Sequence, residues 1–252
     1  MKLALKPIDH IIIVLDIMET TTIPDSGITI FNGDCIAVMK QMPDKSYDLA
    51  IVDPPYYCGP ERRGAYGARV SSLNVKRKEY PVTSHWIVPG KEYFNELERV
   101  AKHYIVWGCN YFDWHFAPGR IVWDKCNGAS SFSDCEIAAT DIINSVRMFR
   151  YMWNGMQQGR SIKEGHIMQG NKSLNEKRIH PTQKPVALYG WLLQNFATAG
   201  DRILDTHLGS GSSAIAAYEM GYEFFGIEAE PLYFKRASER LLTHTNQLRI
   251  FM

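Results

Sequence analysis

Short apolar runs alternate with amphipathic segments along most of this 252-residue chain. The apolar runs predict strands, and segments in which apolar residues recur every three or four positions predict helices. The predicted strands are Ile28–Phe31, Tyr47–Val52, Tyr104–Trp107, Arg120–Trp123, Cys135–Thr140, Arg202–Asp205 and Phe224–Glu228. The predicted helices are Cys35–Gln41, 90–102, Val186–Phe196, Ser212–Met220 and Pro231 to about His244.

The continuous apolar character of these strands indicates a sheet that is covered on both faces. Strands that alternate with helices predict an α/β fold with a doubly wound, mostly parallel sheet. The pattern weakens between Asn127 and Arg178, where Gly, Ser, Asn and Gln accompany several aromatic residues. We therefore expect an N-terminal extension (1–27), an α/β domain in two parts (28–126 and 179–245) and an inserted module (127–178) that does not continue the sheet.

The composition narrows the class of protein. A charged fraction of 22% and a hydrophobic fraction of 45% are ordinary for a globular protein, and the net charge is only +1. Any attraction to nucleic acid must therefore come from local patches. The five cysteines include no Cys-x-x-Cys pair, which indicates reduced thiols of a cytoplasmic protein and no metal site. The run Ile11–Leu15 is too short to cross a bilayer and predicts a buried strand or a packed extension.

The tetrapeptide Asp53-Pro54-Pro55-Tyr56 closes the predicted strand Tyr47–Val52. Neither proline can donate a backbone hydrogen bond, and the residue before each proline is pushed toward an extended conformation. A carboxylate and a free carbonyl can therefore face one amino group, and Tyr56 offers a face for stacking. This combination suits an exocyclic amine on a flat heterocycle. It favours methylation of a nucleobase, with all four residues of the tetrapeptide as candidate catalytic residues.

A glycine loop, Gly209-Ser210-Gly211, lies between a predicted strand and a predicted helix. Glycines let the backbone approach a ligand closely, and the helix N-terminus offers unpaired N–H groups. Glu228 ends the next predicted strand, where an acid commonly binds a ribose hydroxyl pair. The spacing Gly209-x-Gly211-x-x-Ala214 also fits a dinucleotide-binding fingerprint. However, Asp205 at the strand tip would face an ammonium group better than a pyrophosphate.

Together these motifs resemble the amino-methylating DNA methyltransferases of the β class. The resemblance rests on Asp53–Tyr56, on His180-Pro181-Thr182-Gln183-Lys184-Pro185 and on Leu208–Ser212, in that order, and it covers about residues 28 to 242. It implies a Rossmann-like methyltransferase fold in circularly permuted order, in which 28–34 lies beside the strand that carries Glu228. It also implies S-adenosylmethionine as cofactor and double-stranded DNA as substrate, and it suggests a homodimer.

The resemblance also implies a set of cofactor contacts. Asp34 would lie near the adenosine, and Thr182 and Lys184 would help to hold the methionine end. The predicted cofactor-binding residues are Asp34, Thr182, Lys184, Asp205, Gly209, Gly211, Ser212, Ser213 and Glu228. The family usually carries Asp-Pro-Phe before the first glycine. This chain has Asp205-Thr206-His207-Leu208 there, which removes one possible packing partner of the cofactor.

Two basic segments and one acid bear on the substrate. In the family, Asp at the first pocket position usually accompanies adenine N6 and Ser accompanies cytosine N4, so Asp53 favours adenine, with cytosine as the alternative. Residues 60–80 carry six Lys or Arg against two acids, which predicts a phosphate-gripping loop. Residues 141–178 carry seven against three, which favours target recognition for the module 127–178. The predicted DNA contacts are Arg62, Arg63, Lys76 and Lys78.

Other functions remain open from the sequence. A nicotinamide-dependent oxidoreductase has the same fold class, and it predicts that NADH rather than S-adenosylmethionine protects the protein from thermal unfolding. A non-catalytic DNA-binding module predicts DNA binding without transfer of a methyl group. Methylation of RNA or of a protein amide is disfavoured by the permuted order and by Asp rather than Asn at position 53.

Overall fold

A computed structural model describes residues 19–56, 80, 86–128, 133–154 and 157–250, the last three without their side chains. In these ranges the strands are β1 (Thr20–Ile23), β2 (Ile28–Asn32), β3 (Tyr47–Val52), β4 (Ala101–Trp107), β5 (Gly119–Asp124), β6 (Cys135–Thr140), β7 (Val146–Arg150), β8 (Trp153–Asn154), β9 (Gln157–Gln158), β10 (Arg202–Asp205) and β11 (Glu223–Glu228). The α-helices are α1 (Cys35–Met39), α2 (Lys91–Val100), α3 (Val186–Phe196), α4 (Ser212–Met220) and α5 (Pro231–Ile250).

Nine of these strands form one sheet in the order β1-β2-β11-β10-β3-β4-β6-β5-β7. The five strands from β2 to β4 in this order run parallel to their neighbours. β6 runs antiparallel to both β4 and β5, and β7 is parallel to β5. The predicted mostly parallel sheet is therefore confirmed. The permuted order is confirmed as well, because β2 pairs with β11 in a register that places Asn32 beside Glu228.

Helices cover both faces of the sheet, as a doubly wound fold requires. One buried cluster joins α3, α4 and α5 to strand residues that include Leu49 and Ile51. A second cluster joins α1 and α2 to the opposite face, which includes Ala50 and Val52. Successive residues of a strand point to opposite faces. Because both faces of β3 are buried, residues 49–52 of this strand are all apolar, which gives the continuous run seen in the sequence.

The sheet extends into two segments that were predicted to lie outside the α/β domain. The inserted module 127–178 was expected to lie outside the sheet, but β6 and β7 within it are sheet strands. β6 coincides with the predicted strand Cys135–Thr140, whereas most of β7 is not buried, so its pattern lacks the continuous apolar character of the central strands. The predicted extension 1–27 likewise ends in β1, an edge strand antiparallel to β2. The predicted burial of Ile11–Leu15 falls outside the described residues.

The topology identifies the edge of the sheet at which a ligand can bind. From β10 the chain continues through α4 to β11 on one side, whereas from β3 it continues to β4 on the other side. β10 and β3 are nevertheless neighbours, with Leu204 in register with Ala50. In open α/β sheets such a switch point creates a crevice at the carboxyl ends of the strands. None of the described helices combines the length and the apolar character that crossing a bilayer needs.

Candidate functional site

Four acidic residues lie where neighbouring parallel strands end. Asp205 and Glu228 are the last residues of β10 and β11, Asp53 directly follows β3, and Asp34 lies two residues after β2. Because these strands are parallel and adjacent, their carboxyl ends share one edge of the sheet. The structure thus brings together the four acids that the sequence assigned to one crevice. Asp34 is exposed, and its Oδ1 accepts a hydrogen bond from the N–H of Ala37, 2.8 Å away, as the N-cap of α1.

The carboxylate of Asp53 is held at one of its two oxygens. Strand β3 ends at Val52, since the prolines that follow cannot donate ladder hydrogen bonds. The Oδ2 of Asp53 lies 2.5 Å from the Nζ of Lys184. Its Oδ1 is buried and has no hydrogen-bond partner among the described residues. Burial raises the pKa of Asp53, and Lys184 opposes that rise. A buried acceptor without a partner is costly, so this oxygen is suited to a donor from a substrate.

Lys184 lies between two carboxylates in the interior of the site. Its side chain is 3% exposed, and its Nζ lies 2.8 Å from the Oε2 of Glu136 on β6. Glu136 also pairs with Lys125 and accepts a hydrogen bond from the hydroxyl of Tyr56 at 3.4 Å. Burial would raise the pKa of Glu136, but the two lysines lower it to about 2. Burial likewise disfavours the charge on Lys184, yet Asp53 and Glu136 raise its pKa well above the ordinary value.

The segment His180–Lys184 borders both halves of the crevice. Thr182 is exposed, and its hydroxyl lies 3.1 Å from the Nδ1 of His180. The same Nδ1 lies 3.9 Å from the point where a Cβ on Gly209 would stand. Two residues after Thr182, Lys184 reaches Asp53. This segment therefore connects the glycine loop with the pocket around Asp53, and the two motifs lie on the same side of the sheet.

Tyr56 is part of an aromatic stack. Its ring lies 4.9 Å from that of Tyr111, with an angle of 6° between the planes. Tyr111 belongs to the short 3₁₀ turn Cys109–Tyr111, which Gly108 introduces with a φ of 69°. A Cβ on Gly108 would stand 2.6 Å from the Cε1 of Tyr56. Glycine is thus needed there both for the left-handed backbone and for the close approach of the tyrosine ring.

The glycine loop is hydrogen-bonded to Glu228, the acid at the end of the neighbouring strand β11. Gly209 and Gly211 have positive φ values of 55° and 74°. The N–H of Gly209 donates to the Oε2 of Glu228 at 2.7 Å, and the N–H of Glu230 donates to its Oε1 at 2.9 Å. Burial raises the pKa of Glu228 to about 7. The loop backbone and this carboxylate therefore line the same end of the crevice.

The two serines after the loop have partners within the protein. The hydroxyl of Ser213 donates to the Oδ2 of Asp205 at 2.6 Å, and the N–H of His207 donates to its Oδ1 at 2.9 Å. Ser212 accepts a hydrogen bond from Arg240 at 2.9 Å, and Arg240 also donates to the Ser210 carbonyl at 2.8 Å. These hydrogen bonds tie Ser212 to the loop backbone through Arg240 and tie Ser213 to Asp205.

A cationic ligand is compatible with this half of the crevice. Burial raises the pKa of Asp205 to about 7, as it does for Glu228. Neither carboxyl group forms an ion pair with any residue that the structure describes. A ligand that carries a positive charge and hydroxyl groups would provide these two carboxyl groups with an ion-pair partner and with further hydrogen-bond donors. The residues present therefore fit S-adenosylmethionine, with its ammonium group, its sulfonium and its ribose.

Several residues of the site escaped prediction from sequence. Glu136, Lys125, Gly108, Tyr111 and Arg240 lie in none of the motifs, and their partners are distant along the chain. A lone acid in an otherwise apolar strand was the one available signal for Glu136. The predicted DNA contacts Arg62, Arg63, Lys76 and Lys78 lie outside the described residues.

Comparison with known proteins agrees with this geometry. Residues 76–239 match the model of the N6_N4_Mtase family, described as DNA methylase. The Type II methyltransferase M.HinfI of Haemophilus influenzae is 25% identical over 243 residues, a match that covers 84% of this chain and 68% of that protein. The crystal structure of the M1.HpyAVI–SAM complex, 20% identical, has a TM-score of 0.51 and matches over 84% of this chain and 98% of that one. This likeness shows a shared fold.

The family match spans well over half of the chain and includes the His180–Lys184 segment, the glycine loop and Glu228. Asp53 precedes the matched region, and the tertiary structure brings it to the same crevice through Lys184. The chain therefore belongs to the DNA methylase family that modifies the exocyclic amino group of adenine (N6) or cytosine (N4).

Proposed function

We propose that this protein transfers a methyl group from S-adenosylmethionine to the N6 amino group of adenine in double-stranded DNA. The observation that carries the proposal is the buried Oδ1 of Asp53, which has no hydrogen-bond partner in the described part of the chain. It lies near Tyr56 and at the strand edge that also holds Asp205 and Glu228. Family membership favours this reaction over a nicotinamide-dependent oxidation and over DNA binding without catalysis.

The pocket around Asp53 has the chemistry that an exocyclic amine needs. The lone pair of such an amine is delocalised into the ring, which makes the nitrogen a poor nucleophile. Asp53 Oδ1 and the carbonyl of Pro54 would accept the two N–H bonds and draw the nitrogen toward tetrahedral geometry. Asp53 would also stabilise the positive charge that develops on the nitrogen and is the neighbouring base for the proton that the methylated amine releases. A carboxylate at this position supports adenine N6, with cytosine N4 as the alternative.

The target base must leave the duplex to reach Asp53. Tyr56 would then stack on it, and the contact between Tyr56 and Tyr111 shows that this ring accepts a parallel aromatic neighbour. The Oδ1 of Asp53 is covered from solvent, so side chains around it must shift when the base arrives. Holding the flat base between fixed groups aligns its amine with the methyl group, and such alignment supplies a large part of the rate.

The other half of the crevice would hold the cofactor. When bound, S-adenosylmethionine would supply an electrophilic methyl group, and its sulfur would keep the electron pair of the bond to that methyl group. Asp205 would face its positively charged groups, and Glu228 would bind the ribose hydroxyls. The backbone of Gly209 and Gly211 would allow close approach. Ser212 would support the conformation of the glycine loop, and Ser213 would orient Asp205 through their hydrogen bond. Asp34 and Thr182 remain predicted contacts of the cofactor.

DNA binding by the module 127–178 and by the basic loop 60–80 remains part of the proposal. Arg147 and Arg150 on β7 are exposed, which supports contact with phosphates along that edge of the sheet. A homodimer remains a prediction from the resemblance.

The test is incubation of the protein with unmethylated double-stranded DNA and labelled S-adenosylmethionine, followed by mass spectrometry of the nucleosides. We expect N6-methyladenine. Detection of N4-methylcytosine would mean that the target base is cytosine. If a folded protein yields no labelled base, the proposal is refuted. Protection from thermal unfolding by NADH instead of S-adenosylmethionine would favour the oxidoreductase.

The same assay tests the role of Asp53. Asp53→Asn keeps the shape of the side chain but removes its charge, and we expect kcat to fall about 100-fold or more. Asp44→Asn is the matched control, because Asp44 is an exposed acid that pairs with Arg99 outside the crevice. Parental activity in Asp53→Asn would contradict the mechanism.

A further inference from the structure

We infer that Lys184 is a positioning residue that acts through Asp53, with Glu136 behind it, and is not a ligand of the cofactor. The inference rests on the proposed function, because it gives Lys184 a task in catalysis by Asp53. It replaces the role that the resemblance implied, in which Lys184 holds the methionine end of the cofactor.

The contacts of Lys184 decide between these roles. Its ammonium group lies 2.5 Å from Asp53 and 2.8 Å from Glu136, so two of its three donors are engaged by carboxylates of the base pocket. It also lies 6.0 Å from the ring centre of Tyr56 and 5.5 Å from that of Trp107. Because Lys184 binds the Oδ2 of Asp53, the carboxylate is oriented and Oδ1 is left for the substrate.

The main chain around Lys184 is anchored on both sides. The carbonyl of Gln183 accepts a hydrogen bond from Trp153 at 2.7 Å, and its side-chain oxygen accepts one from the N–H of Ile179 at 2.9 Å. Pro185 follows and leads directly into α3. A lysine with a fixed backbone and a nearly inaccessible side chain cannot swing toward another ligand without breaking these contacts.

Glu136 links Lys184 to the second wall of the pocket. It receives hydrogen bonds from Lys184 and from Tyr56, so one carboxylate connects the acid that would bind the amine with the ring that would stack on the base. It lies on β6, which is paired on both sides, with Glu136 in register with Trp123. The geometry of the pocket therefore depends on the antiparallel part of the sheet.

The charges of the cluster balance, and this makes the inference testable by titration. Lys184 and Lys125 face Asp53 and Glu136. Among the described residues, the other nearby groups that can ionise are Asp205, His180 and the phenols of Tyr56, Tyr93 and Tyr189. Without Lys184, two buried carboxylates would share one lysine, which binds Glu136. The pKa of Asp53 would then rise. Without the charge on Glu136, Lys184 would pair with Asp53 alone, and the pKa of Asp53 would fall.

The experiment compares Lys184→Met, Lys184→Arg and Glu136→Gln in full-length protein. We expect Lys184→Met to lower kcat about 100-fold and to move the acid limb of its pH profile upward by about one unit or more. Glu136→Gln should move the acid limb downward, and Lys184→Arg should restore part of the lost rate. The affinity for S-adenosylmethionine, measured by calorimetry, should stay within about twofold in all three variants.

Lys102→Met is the matched control. Lys102 forms a 2.6 Å ion pair with Asp48 near the opposite end of β3, so this variant also removes a lysine partner of that strand. Its pH profile should equal that of the parent. If Lys184→Met does not fold, Glu136→Gln still gives the downward shift of the acid limb, and Lys184→Arg, which keeps the positive charge, should leave the acid limb near that of the parent.

The outcomes separate the inference from the proposed function. Weaker cofactor binding in Lys184→Met with an unmoved acid limb would assign Lys184 to the cofactor and overturn the inference. Shifts of the same sign in Lys184→Met and Glu136→Gln would overturn it as well. Either result leaves methyl transfer by the parent protein intact, whereas a parent protein that transfers no methyl group refutes the proposed function itself.

Discussion

Replacing Gly108 by alanine tests whether the close approach of Tyr56 matters for activity. Gly108 has a φ of 69°, and a Cβ there would stand 2.6 Å from the Cε1 and 2.9 Å from the Cγ of Tyr56. Both distances are far shorter than van der Waals contact, so the ring must move. Gly221 at the end of α4 has a φ of 74° and nothing within 4 Å of its added Cβ. The two substitutions therefore carry the same backbone strain and differ in the clash.

The comparison of Gly108 with Gly221 gives the expected losses in stability and in activity. The left-handed conformation costs a non-glycine residue about 1–2 kcal/mol, which both variants should lose in their free energy of unfolding. Overpacking against Tyr56 should cost Gly108→Ala about 1–3 kcal/mol more. Displacement of the stacking ring by about 1 Å should lower kcat/KM about 100-fold. Gly221→Ala should keep the parental kcat/KM.

Denaturant unfolding and the methyl-transfer assay give both numbers. A double-mutant cycle with Tyr56→Ala isolates the clash, because in that background Gly108→Ala should lose no more stability than Gly221→Ala does. The reasoning is refuted if Gly108→Ala and Gly221→Ala are equally stable and equally active.

Three further predictions follow from the buried groups. Cofactor affinity, measured by calorimetry, should fall about 25-fold from pH 7.5 to pH 5.5 for each of Asp205 and Glu228 that must ionise, because their pKa values are about 7. The ionised carboxylate is the better partner both for a cation and for a ribose hydroxyl. Glu228→Gln should reduce this pH dependence, and a flat profile in the parent would contradict the prediction. Arg240→Met should destabilise the protein by about 3–5 kcal/mol in denaturant unfolding, because it leaves the carboxylate of Glu176, 3.0 Å away, without its ion-pair partner; a loss under 1 kcal/mol would mean that solvent replaces the pair. Phe225→Ala should cost about 3–5 kcal/mol by the same measurement, since this fully buried ring packs between two aromatic neighbours, and a loss near zero would show that the core refills the space.

Local signals were sufficient for the central strands and helices. The bounds of β3, β6, β10, α3 and α4 agree with the sequence prediction. Continuous apolar runs, a glycine at the end of a helix and a glycine loop at the start of one are properties of neighbouring residues, so a sequence displays them directly. The edge strands β1 and β7 were missed, because they are short, largely exposed and stabilised by pairing with strands that the local sequence does not reveal.

The sequence by itself determined the family resemblance, the acid and aromatic residues of the two motifs and the neighbouring positions of β2 and β11. It could not determine what Lys184 contacts. Its partners Asp53 and Glu136 come from strands on either side of β4, 131 residues and 48 residues away from it along the chain (184 − 53 and 184 − 136). Burial then decides the charge states, because a carboxylate removed from water depends on whichever cation the fold places beside it.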